Sequence, residues 1–130
     1  IFNGKPVDVA VQVAEARKDE KLFDLSSLNK FTQNDPVSLK LIVDTFITSV
    51  SENTEALRQA TCEMNLKRMS EVAHKMIPML KQMEVYSISD LLEPIEDQSL
   101  EYDKEEMEKY VAIIFQKLSV LISELEKEIS

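Results

Sequence analysis

KEEMEKYVAIIFQKLSVLISELEKE, residues 104–128, decides the fold. Its apolar positions Met107, Val111, Ile114, Leu118, Leu121 and Leu125 are spaced 4, 3, 4, 3 and 4 apart. A helix turns once in about 3.6 residues, so these six fall on one stripe. Alternating threes and fours are the seam spacing of an antiparallel bundle or a coiled coil. The stripe predicts a helix over about Lys104–Glu128 with one face buried against other helices.

The rest of the chain from Phe23 onward reads the same way. Asp35-Pro36 is a start signal, an N-cap residue followed by proline at the first helical position. The helix it opens carries Leu39, Ile42, Val43, Phe46, Val50, Leu57 and Ala60 on one stripe and should end near Cys62–Glu63. Before it, a short helix is expected at about Ser26–Thr32, capped by Asp24 or Ser26, with Leu25, Leu28 and Phe31 apolar. After it, Asn65 can cap a helix reaching about Met83, and Ser87 or Ser89 can open a shorter one through about Asp97. The acid-rich stretch 84–109 suits a solvated loop and a helix start. Brief connections place successive helices antiparallel. The expected fold is all-α, an antiparallel up-down four-helix bundle over residues 23–130 with a short extra N-terminal helix. Residues 1–22 read as a linker or the tail of a preceding domain, in which Val7, Val9, Val11 and Val13 alternate as in a strand. Such a segment favours attachment to a larger chain.

Composition excludes several functions. The 130 residues are 44% apolar and 30% charged, as in a single globular domain. The one glycine argues against hairpin-built sheets and Gly-rich phosphate loops. The one cysteine, Cys62, rules out a disulfide framework and a cysteine-based zinc site. No metal site of any kind is expected from the sequence. With 15 basic and 24 acidic residues the net charge is −9, a poor match to nucleic acid, whose binding rests on phosphate neutralisation. No apolar run approaches the roughly 20 residues of a membrane span. A cytoplasmic location without direct membrane contact is the expectation.

The segment NLKRMSEVAHKMIPMLKQM, residues 65–83, bears on function. At about 100° per residue, Met69, Met76, Leu80 and Met83 lie nearly opposite His74, so the chain's only histidine should face solvent. Lys67 and Lys81, seven residues either side, lie within about 20° of it on the wheel, and Ser70 and Pro78 within about 40°. Residues 67–81 hold four bases (Lys67, Arg68, Lys75, Lys81) against one acid, Glu71, so the window is locally +3. Neutral imidazole is a competent nucleophile near neutral pH, and nearby lysines would favour a phosphoryl group on it. An exposed histidine on an amphipathic helix is equally what an ordinary surface offers, and a methionine stripe is first of all core filler.

EVAHKMIPMLKQMEV, residues 71–85, preceded by DPVSLKLIVDTFITSVSENTEALRQA, residues 35–60, resembles the active helix and the helix before it in histidine-containing phosphotransfer domains, the type found in hybrid sensor histidine kinases. The resemblance covers about residues 23–130. It implies a helical bundle whose surface histidine, here His74, accepts and donates a phosphoryl group to or from receiver-domain aspartates. It implies a phosphocarrier that is not itself an enzyme, a monomeric domain whose partner receiver supplies Mg²⁺. Ala73 matches the small residue that usually precedes the histidine. Where the family often reads His-x-x-Lys-Gly, this chain has Ile77 and Pro78, which leaves Lys81, Lys67 or Lys75 as charge partners. With Ser70, these residues form the expected receiver-docking set. A mid-helix proline also predicts a bend at Pro78. Two other readings stand beside this one. One is a helical interaction domain without phosphotransfer; the other is the dimerisation part of a histidine kinase, for which the chain has extra helices and no nucleotide motif.

Overall fold

The computed structural model describes residues 22–129, so the alternating valines and nearly all of the expected linker lie outside the described residues. Five helices follow in order: α1 (Ser26–Phe31), α2 (Pro36–Cys62), α3 (Leu66–Gln82), α4 (Tyr86–Glu96) and α5 (Lys104–Ile129). α2 through α5 pack antiparallel as a four-helix bundle, with the short α1 ahead of them. α3 packs on α2 and α4, and α5 closes the ring by packing on the same two helices.

Each helix start has a local cause. Asp35 caps α2, its carboxylate accepting the Val37 N–H (3.3 Å) and the Ser38 hydroxyl (2.7 Å). These two bonds, the Ser38 one first, hold the Asp35 carboxyl below its ordinary value. Asn65 caps α3 through the Arg68 N–H at 3.0 Å. α5 opens with a reciprocal capping box, in which Asp103 accepts from the Glu106 N–H (2.8 Å) and Glu106 from the Asp103 N–H (3.1 Å). α1 has Leu25 at its N-cap with no side-chain cap bond, in place of the expected Asp24 or Ser26, although the Asp24 carboxylate takes the Ser26 N–H at 2.8 Å.

α4 departs from expectation. It begins at Tyr86, and neither Ser87 nor Ser89 caps it; Val85 stands at the N-cap with no side-chain bond. The physical reason is packing. Val85 and Ser89 are both fully buried, and Val85 also closes the end of α3 by donating its N–H to the Leu80 carbonyl at 2.8 Å. Nor is residues 84–109 simply a solvated stretch. α4 buries Ile88, Leu91, Leu92 and Ile95, and its acids Asp90, Glu93 and Glu96 are themselves half-buried.

The core follows the predicted stripes. Met107, Val111, Ile114, Leu118, Leu121 and Leu125 are all buried, and so are Val43, Phe46, Val50, Leu57 and Ala60 of α2. Leu39 and Ile42 are half-buried against that core. α3 contributes Met69, Val72, Ala73, Met76, Ile77 and Leu80. Each fully buried side chain of the Leu or Met size is worth roughly 1.5–3 kcal/mol, so α3 is held firmly by its inner face. Phe31 is the exception among the expected core residues. It is 80% exposed, because it is the last residue of α1, whose Leu28, with Leu25 just before the helix, is what packs against the bundle.

Candidate functional site

The site lies on the seam between α3 and α4. α3 runs unbroken from Leu66 to Gln82, so Pro78 does not end it. Proline lacks an N–H, so one i+4 bond, to the His74 carbonyl, is missing while the helix continues beyond it. Pro78 sits on the exposed face. With the inner face of α3 fixed in the core, His74 stands outward as the helical wheel required, its side chain 76% exposed.

His74 is not alone on that surface. Its Nδ1 contacts Oε2 of Glu96, the last residue of α4, 22 positions further along the chain. The Glu96 side chain is 30% exposed. One turn before His74, the Ser70 hydroxyl donates to the backbone carbonyl of the same Glu96 at 2.6 Å. That carbonyl is among the last of α4, which have no intrahelical partner, so Ser70 satisfies an orphan acceptor. Ser70 and His74 therefore grip one residue, the first through its main chain and the second through its carboxylate. Further along the seam Lys81 pairs with Glu93 at 3.3 Å.

These contacts divide the expected docking set. His74, Lys67, Lys75, Lys81 and Pro78 are exposed on the surface of α3. Lys67 and Lys75 meet no carboxylate within ion-pair distance among the described residues. Ser70 is half-buried and turned into the seam, where its hydroxyl is engaged. Ile77 is 7% exposed and belongs to the core, so it lies behind the surface and not on it. Ser70, Glu71, His74, Lys75 and Glu96 line one shallow depression.

The site is less basic than the linear window. Adding Glu93 and Glu96 to Glu71 sets three acids against the four bases Lys67, Arg68, Lys75 and Lys81, leaving +1 where residues 67–81 alone carry +3. Glu96 was not among the expected site residues. Its position could have been found by counting. The α3–α4 junction is centred on Glu84, and residues at similar distances either side of an antiparallel turn face each other. Glu96 lies 12 beyond Glu84 and His74 lies 10 before it.

Among the described residues no group of three His, Cys, Asp or Glu side chains is placed to hold a metal ion, and no helix is long and apolar enough to cross a membrane. Comparison with protein-family models, curated proteins and solved structures finds no match to this chain.

Proposed function

We propose that this domain is a histidine phosphotransfer module, with His74 accepting and donating a phosphoryl group to or from the aspartates of receiver domains. The observation that carries the reading is the placement of His74. The chain's only imidazole stands exposed in the middle of a helix whose opposite face is locked into the core. Phosphoryl transfer demands positioning and charge stabilisation more than covalent chemistry from the protein, so an exposed nucleophile on a stiff helix suffices. The resemblance of residues 71–85 to the active helix of such domains points the same way. The domain acts as a carrier. The receiver brings the acidic pocket and its Mg²⁺, and exposed Lys67 and Lys75 face the incoming group.

The test is incubation of the full chain with radiolabelled, phosphorylated receiver domains. The wild-type chain should take up an acid-labile, alkali-stable label. His74→Gln, which keeps side-chain size but has no nucleophilic ring nitrogen, should take up none while retaining its helical circular dichroism. Label on the variant at the wild-type rate would place the acceptor elsewhere. A second reading, a helical interaction domain, is favoured by the exposed Phe31, Val37 and Leu41 on α1 and α2. A chain that captures partners but never becomes labelled would support it.

A further inference from the structure

We propose that the protein forms a weak twofold dimer through the tip of α1 and the N-terminal end of α2, with Phe31, Val37 and Leu41 of each copy packed against those of the other. The inference does not rest on His74 as a phosphoacceptor, and it departs from the monomer that the family resemblance implies.

The face exists because the helices differ in length. α2 has 27 residues and α3 has 17. They run antiparallel from a short turn, so α2 continues for about 15 Å past the end of α3. Val37 and Leu41 lie on that overhang, one turn apart, and are 76% and 67% exposed. Phe31, at the end of α1, lines one open depression with Leu41. The other exposed large apolar side chains, Leu66 on α3 and Val120 on α5, stand one to a helix. Three neighbouring side chains this bare offer roughly 400 Å² of apolar surface, the size at which a patch marks a contact face.

The charge distribution fits a second copy as the occupant. Two chains of net charge −9 repel each other, so they meet most readily where charge is balanced. Residues 52–130 hold 9 bases and 17 acids. Residues 25–51 hold only Lys30, Lys40, Asp35 and Asp44, two of each sign. Lys40 pairs with Asp44 within α2 at 2.8 Å, so the surface beside Leu41 is neutral locally as well as in sum. A twofold contact sets a patch on its own copy, and an apolar centre flanked by both signs is complementary to itself. A different protein that recognised this chain could use its many acids; a second copy cannot.

The contact lies away from His74. Counting back from the α2–α3 turn near Met64, His74 is level with about Thr54, which is 13 residues past Leu41. That separation is about 20 Å along α2, so His74 stays open in both copies. A stable interface of standard size buries about 800 Å² on each partner, twice what the patch offers. The dimer is therefore weak, with a dissociation constant on the order of 100 μM.

Sedimentation equilibrium of the full chain, from about 10 μM to about 1 mM, tests this at about 0.05 M and about 0.5 M salt. The average mass should climb from that of a monomer toward that of a dimer. The higher salt should tighten association several-fold by screening the repulsion between acidic chains. Phe31→Ser combined with Leu41→Ser should weaken it tenfold or more with unchanged circular dichroism, because both side chains are exposed. Lys40→Glu adds two negative charges to the balance of each face and should weaken association chiefly at the lower salt. Val120→Ser, on α5, should associate as wild type does. A chain that stays monomeric to about 1 mM at both salts overturns the proposal and gives the patch to a different protein. Association that survives the double variant overturns it by placing the contact on another face. Association that loosens as salt rises overturns it too, since attraction between opposite charges would then hold the copies together.

Discussion

His74 and Glu96 mark how far a single-residue reading reaches. The direction of His74 was legible, because periodicity fixes which way a side chain leaves its own helix. The carboxylate beside it was not, because a neighbouring helix supplies it, and no pattern within residues 65–83 contains that information. Tyr110 shows the same divide. It precedes Val111 in the seam and is completely buried, although only its neighbours were read as core. Its hydroxyl donates to the Leu91 carbonyl of α4 at 2.6 Å, and its ring tilts against Tyr102 with centroids 5.8 Å apart. Burial first, and Tyr102 second, push the Tyr110 hydroxyl well above the usual tyrosine range, so it stays a donor at any working pH. Tyr110→Phe keeps the ring and deletes the bond. The expected cost is about 1 kcal/mol, read as a lower midpoint in urea at unchanged slope. A midpoint equal to wild type would show that the bond to Leu91 contributes nothing net.

At the scale of the elements, helix starts were easier to read than helix stops. Asp35-Pro36 and Asn65 carry their capping chemistry in the side chain and stand where the sequence suggested. The stops depend on backbone conformation. Gln33, Met64, Glu84 and Gln98 all have positive φ, between 50° and 58°. At each one the chain closes a helix with the same pair of bonds. After α4, for example, Gln98 N–H meets the Ile95 carbonyl at 3.2 Å and Ser99 N–H meets the Pro94 carbonyl at 3.1 Å. This is the Schellman closure, in which glycine is the usual left-handed residue. The chain's only glycine is Gly4, outside the described residues, so no glycine announced these turns. A non-glycine residue in the left-handed region costs roughly 1–2 kcal/mol, partly offset by the greater freedom glycine has when unfolded. Gln98 is exposed, so its replacement loses no core packing. Gln98→Gly should therefore stabilise the domain by about 0.5–1 kcal/mol, a few degrees in melting temperature, with Gln98→Ala giving no such gain. Equal melting of wild type and the glycine variant would show that this closure carries no such backbone cost.

The whole molecule opposes its own site electrostatically. The linear window suggested a +3 patch that would attract an acidic partner. The seam acids Glu93 and Glu96 reduce it to +1, in a chain whose net charge is −9. Which of these a partner senses depends on ionic strength. At about 0.01 M salt the Debye length is near 30 Å, comparable to the domain itself, so an approaching acidic surface meets the full negative charge. At about 0.15 M the length falls to about 8 Å, and only charges around the contact, exposed Lys67 and Lys75 among them, still act. Under the proposed function, the association rate with an acidic receiver domain should therefore rise as salt increases over this range. A simple basic docking patch predicts the opposite, since its attraction is strongest when unscreened. Lys67→Ala combined with Lys75→Ala should slow association most at the higher salt, where the local charges dominate, and should leave the melting temperature nearly unchanged because both side chains are exposed. Stopped-flow measurement of the association rate across the salt series decides between the two. A rate that falls steadily with salt would mean that the local bases outweigh the global charge, and that Glu93 and Glu96 do not neutralise the surface a partner meets.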